Sequence, residues 1–126
     1  MRGYFSMILH AHLPYVRHPE YEEFLEEDWL YEAISETYIP LLNMFENLTR
    51  DKIPWSITMT MSGTLANMLN DELLRSRYEV SLNKSLELCR LEVERLKDQE
   101  ELLNVAKFNL SFFKRAKETF LRYNGD

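Results

Sequence analysis

A single cysteine, Cys89, is all the thiol in this sequence, so no disulfide can form within one chain and a reducing compartment is implied. Glycine and proline are scarce, at three and four residues in 126. No internal repeat or biased tract is evident, which removes collagenous, linker-like and low-complexity readings. Positive charge is in deficit: 15 Lys and Arg stand against 21 Asp and Glu, a net charge of -6. Phosphate binding calls for clustered Lys and Arg, whereas Arg75, Arg77, Lys114, Arg115 and Lys117 are interleaved with acids as on solvated helix faces. No nucleic-acid partner is expected. Long apolar runs are missing too. The opening MRGYFSMILHAHLP is broken by histidines and is too short and too polar for a signal peptide or a membrane span. No membrane partner is expected, and cytoplasm is the expected location. What remains is 45% hydrophobic and 29% charged, over the length of one ordinary domain.

Residues 3–9, GYFSMIL, are apolar on both faces and predict a strand buried on two sides, as in a parallel sheet. Pro14 ends it. From about Glu26 the period becomes helical: Trp29, Leu30, Ala33, Ile34, Leu41, Leu42, Phe45 and Leu48 recur at spacings of three and four. Asp28 is the predicted N-cap, and Pro40 predicts a kink or restart. In WSITMTMSGTL, Trp55, Ile57, Met59 and Met61 alternate with Ser56, Thr58 and Thr60, a second strand. Ser62 or Thr64 can then cap a short helix carrying Leu65, Met68 and Leu69. Strand, long helix, strand is a βαβ unit with parallel strands. The rest reads as an αα-hairpin: Leu82, Leu86, Cys89, Val93 and Leu96 on one arm, KDQEE between, and Leu103, Ala106, Phe113, Ala116 and Phe120 on the other. The division is 1–72 for two β/α units and 73–126 for the helical hairpin. Two parallel strands cannot cover both faces of their own sheet. The chain therefore reads as the opening segment of a larger α/β domain, or as one completed by a partner.

His10 and His12 stand where the first apolar run stops. If the strand reaches His10, both project to the same side at its C-terminal end, where α/β folds place ligand sites. Three readings follow from the pattern. The imidazoles can be satisfied locally; they can ligate zinc through neutral nitrogens; or they can orient a polar ligand such as a sugar hydroxyl. Against zinc, two ligands do not make a site, and His18 is the only other histidine. The acids Glu22, Glu23, Glu26, Glu27, Asp28, Glu32 and Glu36 are assigned to a solvated helical face and not to a catalytic pair.

The stretch GYFSMILHAHLPYVRHPEYEEFLEEDWLYEAISETYIPLL, residues 3–42, closely resembles the start of glycoside hydrolase family 57. The likeness is to the branch of α-1,4-glucan branching enzymes and α-amylase-like proteins of thermophiles. HAHLPY resembles the first signature of the family, EDWLYEAISETYIPLL is typical of the branching-enzyme branch, and TMTMSGTLANML resembles its second strand and following turn. Where this chain has Gly63, members usually carry Pro, a departure that bears on the turn more than on chemistry. The resemblance runs more weakly through the helical remainder.

That resemblance implies an α/β fold: the first two β/α units of an incomplete (β/α)7 barrel, with a long αα-hairpin after the second strand. It implies a retaining enzyme acting on α-glucan, in which a carboxylate nucleophile and a carboxylic acid flank the scissile bond. In family members both lie on later barrel strands, so no catalytic residue is assigned here and the chain alone is expected to be inactive. His10 matches the signature histidine of the donor-sugar pocket, and His12 is its neighbour or a prop for the strand end. Trp29 matches an aromatic near the mouth of the cleft, although its helical spacing also suits packing. Tyr15 is assigned a hydroxyl contact or a packing role. No cofactor and no metal are expected. The rival readings are a metal-dependent hydrolase using His10 and His12, and a non-enzymatic helical module.

Overall fold

The computed structural model describes residues 3–124; residues 1–2 and 125–126 lie outside that description. The order of elements is β1 (Ile8–Ala11), α1 (Glu27–Ala33), a π-helical turn (Ile34–Tyr38), α2 (Ile39–Arg50), β2 (Thr58–Met61), α3 (Gly63–Leu69), α4 (Glu72–Arg95) and α5 (Glu100–Asn124). The strands β1 and β2 pair in parallel, with Ile8 opposite Thr58, Leu9 opposite Met59, His10 opposite Thr60 and Ala11 opposite Met61. The Ser62 N–H donates to the Ala11 carbonyl at 3.0 Å, extending the ladder past the last paired residues.

Both strands are shorter than the sequence predicts. Residues 3–7 lie outside β1, with Tyr4 99% and Phe5 86% exposed, so the strand over 3–9 buried on two sides is not what forms. Residues 55–57 likewise lie outside β2. A parallel ladder persists only where a partner supplies rungs, and apolar sequence without a covering layer gains nothing from extension.

The two faces of the sheet differ because side chains alternate along each strand. Leu9, Ala11, Met59 and Met61 share the face turned to the helices: Ala11 is in the core, and Met59 and Met61 line an apolar cavity with Leu30, Ile34, Tyr38 and Phe45. Ile8, His10, Thr58 and Thr60 share the other face, and all four are exposed.

Helix α1, the π turn and α2 run on from one another. Pro40 is the second residue of α2. It has no N–H for the preceding turn and its ring needs room there, and the single widened turn at Ile34–Tyr38 supplies that room. The predicted restart at Pro40 takes this form. Asp28 is not the N-cap. That position falls to Glu26, which makes no side-chain cap, while Glu27 and Asp28 occupy the first turn, where negative charge suits the helix dipole.

Ser62 and Asp71 cap α3 and α4, their side chains accepting from the N–H groups of Leu65 and Leu74. The predicted hairpin forms from α4 and α5, and Leu82, Leu86, Leu96, Ala106 and Ala116 from its two arms are buried. Val16, Leu30, Leu65, Met68, Leu74 and Tyr78 fill the centre of the core. Each large apolar side chain buried there contributes roughly 1.5–3 kcal/mol. Ser35 on the π turn meets the Tyr78 hydroxyl at 2.8 Å, and burial pushes that phenol up to about 12.

Candidate functional site

His10 is the third residue of β1 and lies directly across from Thr60 of β2. Its Nδ1 is 2.6 Å from Thr60 Oγ1. His12, just past the strand end, stacks on it with ring centroids 6.1 Å apart and planes 19° from parallel. The period of two thus brings both imidazoles to one side, as the spacing predicts. They form a polar patch with Thr58 and Thr60 on the open face of the sheet. His10 Nε2 makes no hydrogen bond among the described residues, so it is available to a ligand.

The other two predicted contacts do not join this patch. Tyr15 is 54% exposed in the segment after β1, and Trp29 is 49% exposed on α1. Among the described residues, no hydrogen bond or ring contact links either of them to His10 or His12.

The segment from His12 to Glu26 is fastened to α4. Arg17 Nε donates to Asp71 Oδ2 at 2.8 Å, while the other oxygen of Asp71 caps the helix. The His18 N–H donates to Glu27 Oε1 at 3.1 Å, and Arg77 donates to the same oxygen and to the carbonyls of His18 and Tyr21. Lys84 pairs with Glu23. The Tyr31 hydroxyl donates to Glu27 Oε2 at 2.9 Å; burial and this carboxylate raise the Tyr31 pKa. Glu27 is only 1% exposed. Its assignment to a solvated face was therefore incorrect, and so was that of Arg77, whose side chain is 16% exposed.

His18 is engaged elsewhere. Its Nε2 is 3.1 Å from Glu26 and its Nδ1 3.3 Å from Glu20, and its ring lies 3.9 Å from that of Phe24. Desolvation opposes its charge, but the hydrogen bonds to Glu26 and Glu20 outweigh that and raise its pKa. Among the described residues, no three His, Cys, Asp or Glu side chains are grouped so as to hold a metal ion. No described helix is long and apolar enough to cross a membrane.

Sequence reasoning missed two things. Glu27 precedes Leu30, Tyr31 and Ile34 by three, four and seven positions, which places it on the apolar stripe of its helix, and that signal was readable. The pairing of His10 with Thr60 depends on strand register, which the sequence does not carry.

Residues 6–126 match the profile of glycosyl hydrolase family 57. The chain belongs to that family. It is 34% identical over its whole length to a 1,4-α-glucan branching enzyme of Thermococcus kodakarensis, of which it spans 18%. Among solved structures it is similar to the α-amylase AmyC of Thermotoga maritima, at 44% identity and a TM-score of 0.92 over 99% of this chain and 24% of that one. It is also similar to the family 57 branching enzyme of Pyrococcus horikoshii, at 31% identity and a TM-score of 0.89, covering all of this chain and 23% of that one. The chain therefore spans about a fifth to a quarter of these relatives.

Proposed function

We propose that this chain is the N-terminal part of a family 57 catalytic barrel that acts on α-1,4-glucan with retention of configuration, as a branching enzyme or an α-amylase. The observation that carries the reading is the pair His10 and His12, on the uncovered face at the C-terminal end of a parallel strand. In a barrel that end of the strands holds the substrate. An imidazole there hydrogen-bonds a sugar hydroxyl and orients the ring for attack. Trp29 and Tyr15 serve as outlying contacts, one offering an aromatic face and the other a hydroxyl.

The nucleophile and the acid are supplied from outside this chain. Glu27, the one carboxylate buried among the described residues, is committed to Arg77, Tyr31 and the His18 backbone. It has no role left in proton transfer. The chain by itself is inactive. The test is incubation with amylose, followed by iodine staining and a reducing-end assay, for this chain and for an intact enzyme carrying it. We expect turnover from the second only. Turnover by the 126-residue chain, proportional to protein and surviving repurification, would show that the carboxylates lie within it.

A further inference from the structure

We infer that Thr60 is a positioning residue: its hydroxyl donates to His10 Nδ1 and so holds the imidazole in the tautomer that presents an Nε2–H donor to the sugar. The inference rests on the proposed role of His10 as a glucan contact and adds to it a tautomer and a residue that sets it.

Three observations converge. His10 and Thr60 are directly opposed rungs of the parallel pair, so the backbone fixes their separation. The contact is 2.6 Å long, a short hydrogen bond between a hydroxyl and a ring nitrogen. The Thr60 hydroxyl has no other partner among the described residues, so its single proton is free to point at Nδ1. An imidazole that accepts at Nδ1 carries its proton on Nε2. His12, its ring centroid 6.1 Å from that of His10, offers no hydrogen bond that would choose a tautomer. Thr is β-branched and stiff at χ1 in a strand, so it keeps its hydroxyl aimed at little entropic cost.

The experiment uses an intact enzyme carrying this chain, labelled with nitrogen-15 in histidine, with His10→Gln to assign the signal. Long-range nitrogen–proton correlation should show His10 as the Nε2–H tautomer in the parent and in Thr60→Ser, and as a mixture in Thr60→Val. Thr60→Val keeps the β-branched shape, so its melting temperature should stay close to that of the parent. Its kcat on amylose should fall about three- to tenfold with KM little changed, and Thr60→Ser should restore it. An Nδ1–H tautomer in the parent would overturn the inference. So would a Thr60→Val enzyme with unaltered kcat beside a His10→Ala enzyme that is severely impaired. If His10→Ala itself retains full activity, the sugar-pocket role fails, and the positioning role of Thr60 fails with it.

Discussion

The carboxylate of Glu27 and the guanidinium of Arg77 meet across fifty positions of sequence, with side chains only 2% and 16% exposed. The pair joins the first turn of α1 to the first half of α4, and through the carbonyls of His18 and Tyr21 it also secures the segment that follows the histidine strand. Removing one partner of a buried ion pair leaves the other charged and unpaired, which costs about 3–5 kcal/mol, while replacing both with apolar groups can be nearly neutral. We expect Arg77→Ala to destabilise by about 3 kcal/mol in urea denaturation. The double variant Glu27→Leu, Arg77→Met should be more stable than Arg77→Ala. A loss below about 0.5 kcal/mol for Arg77→Ala would mean that the pair behaves as a solvated surface bridge.

His18 gives this segment a pH dependence of definite sign. Its folded-state pKa is raised, desolvation being outweighed by Glu26 and Glu20. A group with a raised folded pKa contributes stability that is fully present below its unfolded value, and that stability is lost as pH rises through the folded value. The contribution from His18 should therefore be present in full in acid, below the ordinary histidine value, and be lost as pH rises above it. Melting curves on both sides of that value should show it as a parent-minus-variant difference for His18→Gln that shrinks as pH rises. A difference that grows with pH would contradict the arrangement.

Much of this fold was legible because its signals are local. The alternation of WSITMTM, the cap Ser62, and the stripe from Leu82 to Leu96 each act within a few residues. The shared side of His10 and His12 follows from the pleat alone. Most of what failed was non-local. Tyr4 and Phe5 have the residue types of a buried strand, yet burial requires another layer, and none of the described residues supplies it. Glu27 was placed in water by its charge, although its spacing to Leu30 and Ile34 put it on the inner stripe. Its partner Arg77 lies on another helix, and no sequence rule names that pairing.

Gly63 is the first residue of α3, and its φ is not positive. A Cβ built there meets nothing within 4 Å, so nothing at this site requires glycine. Its N–H makes no hydrogen bond among the described residues, and Ser62 before it is extended with ψ 147°. Those are the conditions proline needs at a first helical position. Gly63→Pro should stabilise the protein by about 0.4–1 kcal/mol by narrowing the unfolded ensemble. Thermal or chemical denaturation would read this directly. A fall in stability would show that the turn after β2 relies on flexibility at Gly63.

The two histidines can be separated by function. In an intact enzyme, His10→Ala should cut activity on α-glucan far more than His12→Ala, with little change in melting temperature for either. Both rings are exposed and neither fills the core, so neither truncation opens a cavity. His10 has one nitrogen on Thr60 and the other free for a ligand, whereas the described contact of the His12 ring is its stack on His10. In the proposed role, a hydrogen bond from the His10 imidazole to a sugar hydroxyl would strengthen as the sugar distorts toward the transition state. Its loss costs roughly 1–3 kcal/mol, or about ten- to a hundredfold in rate. Loss of the His12 wall should cost only a fewfold, through looser orientation of its neighbour. A metal site would behave differently: either substitution would release the ion, EDTA would inactivate the parent, and added zinc would restore it. We expect full activity in EDTA. Equal loss from both alanine variants, together with stoichiometric zinc in the parent, would replace the sugar-pocket reading with a metal centre.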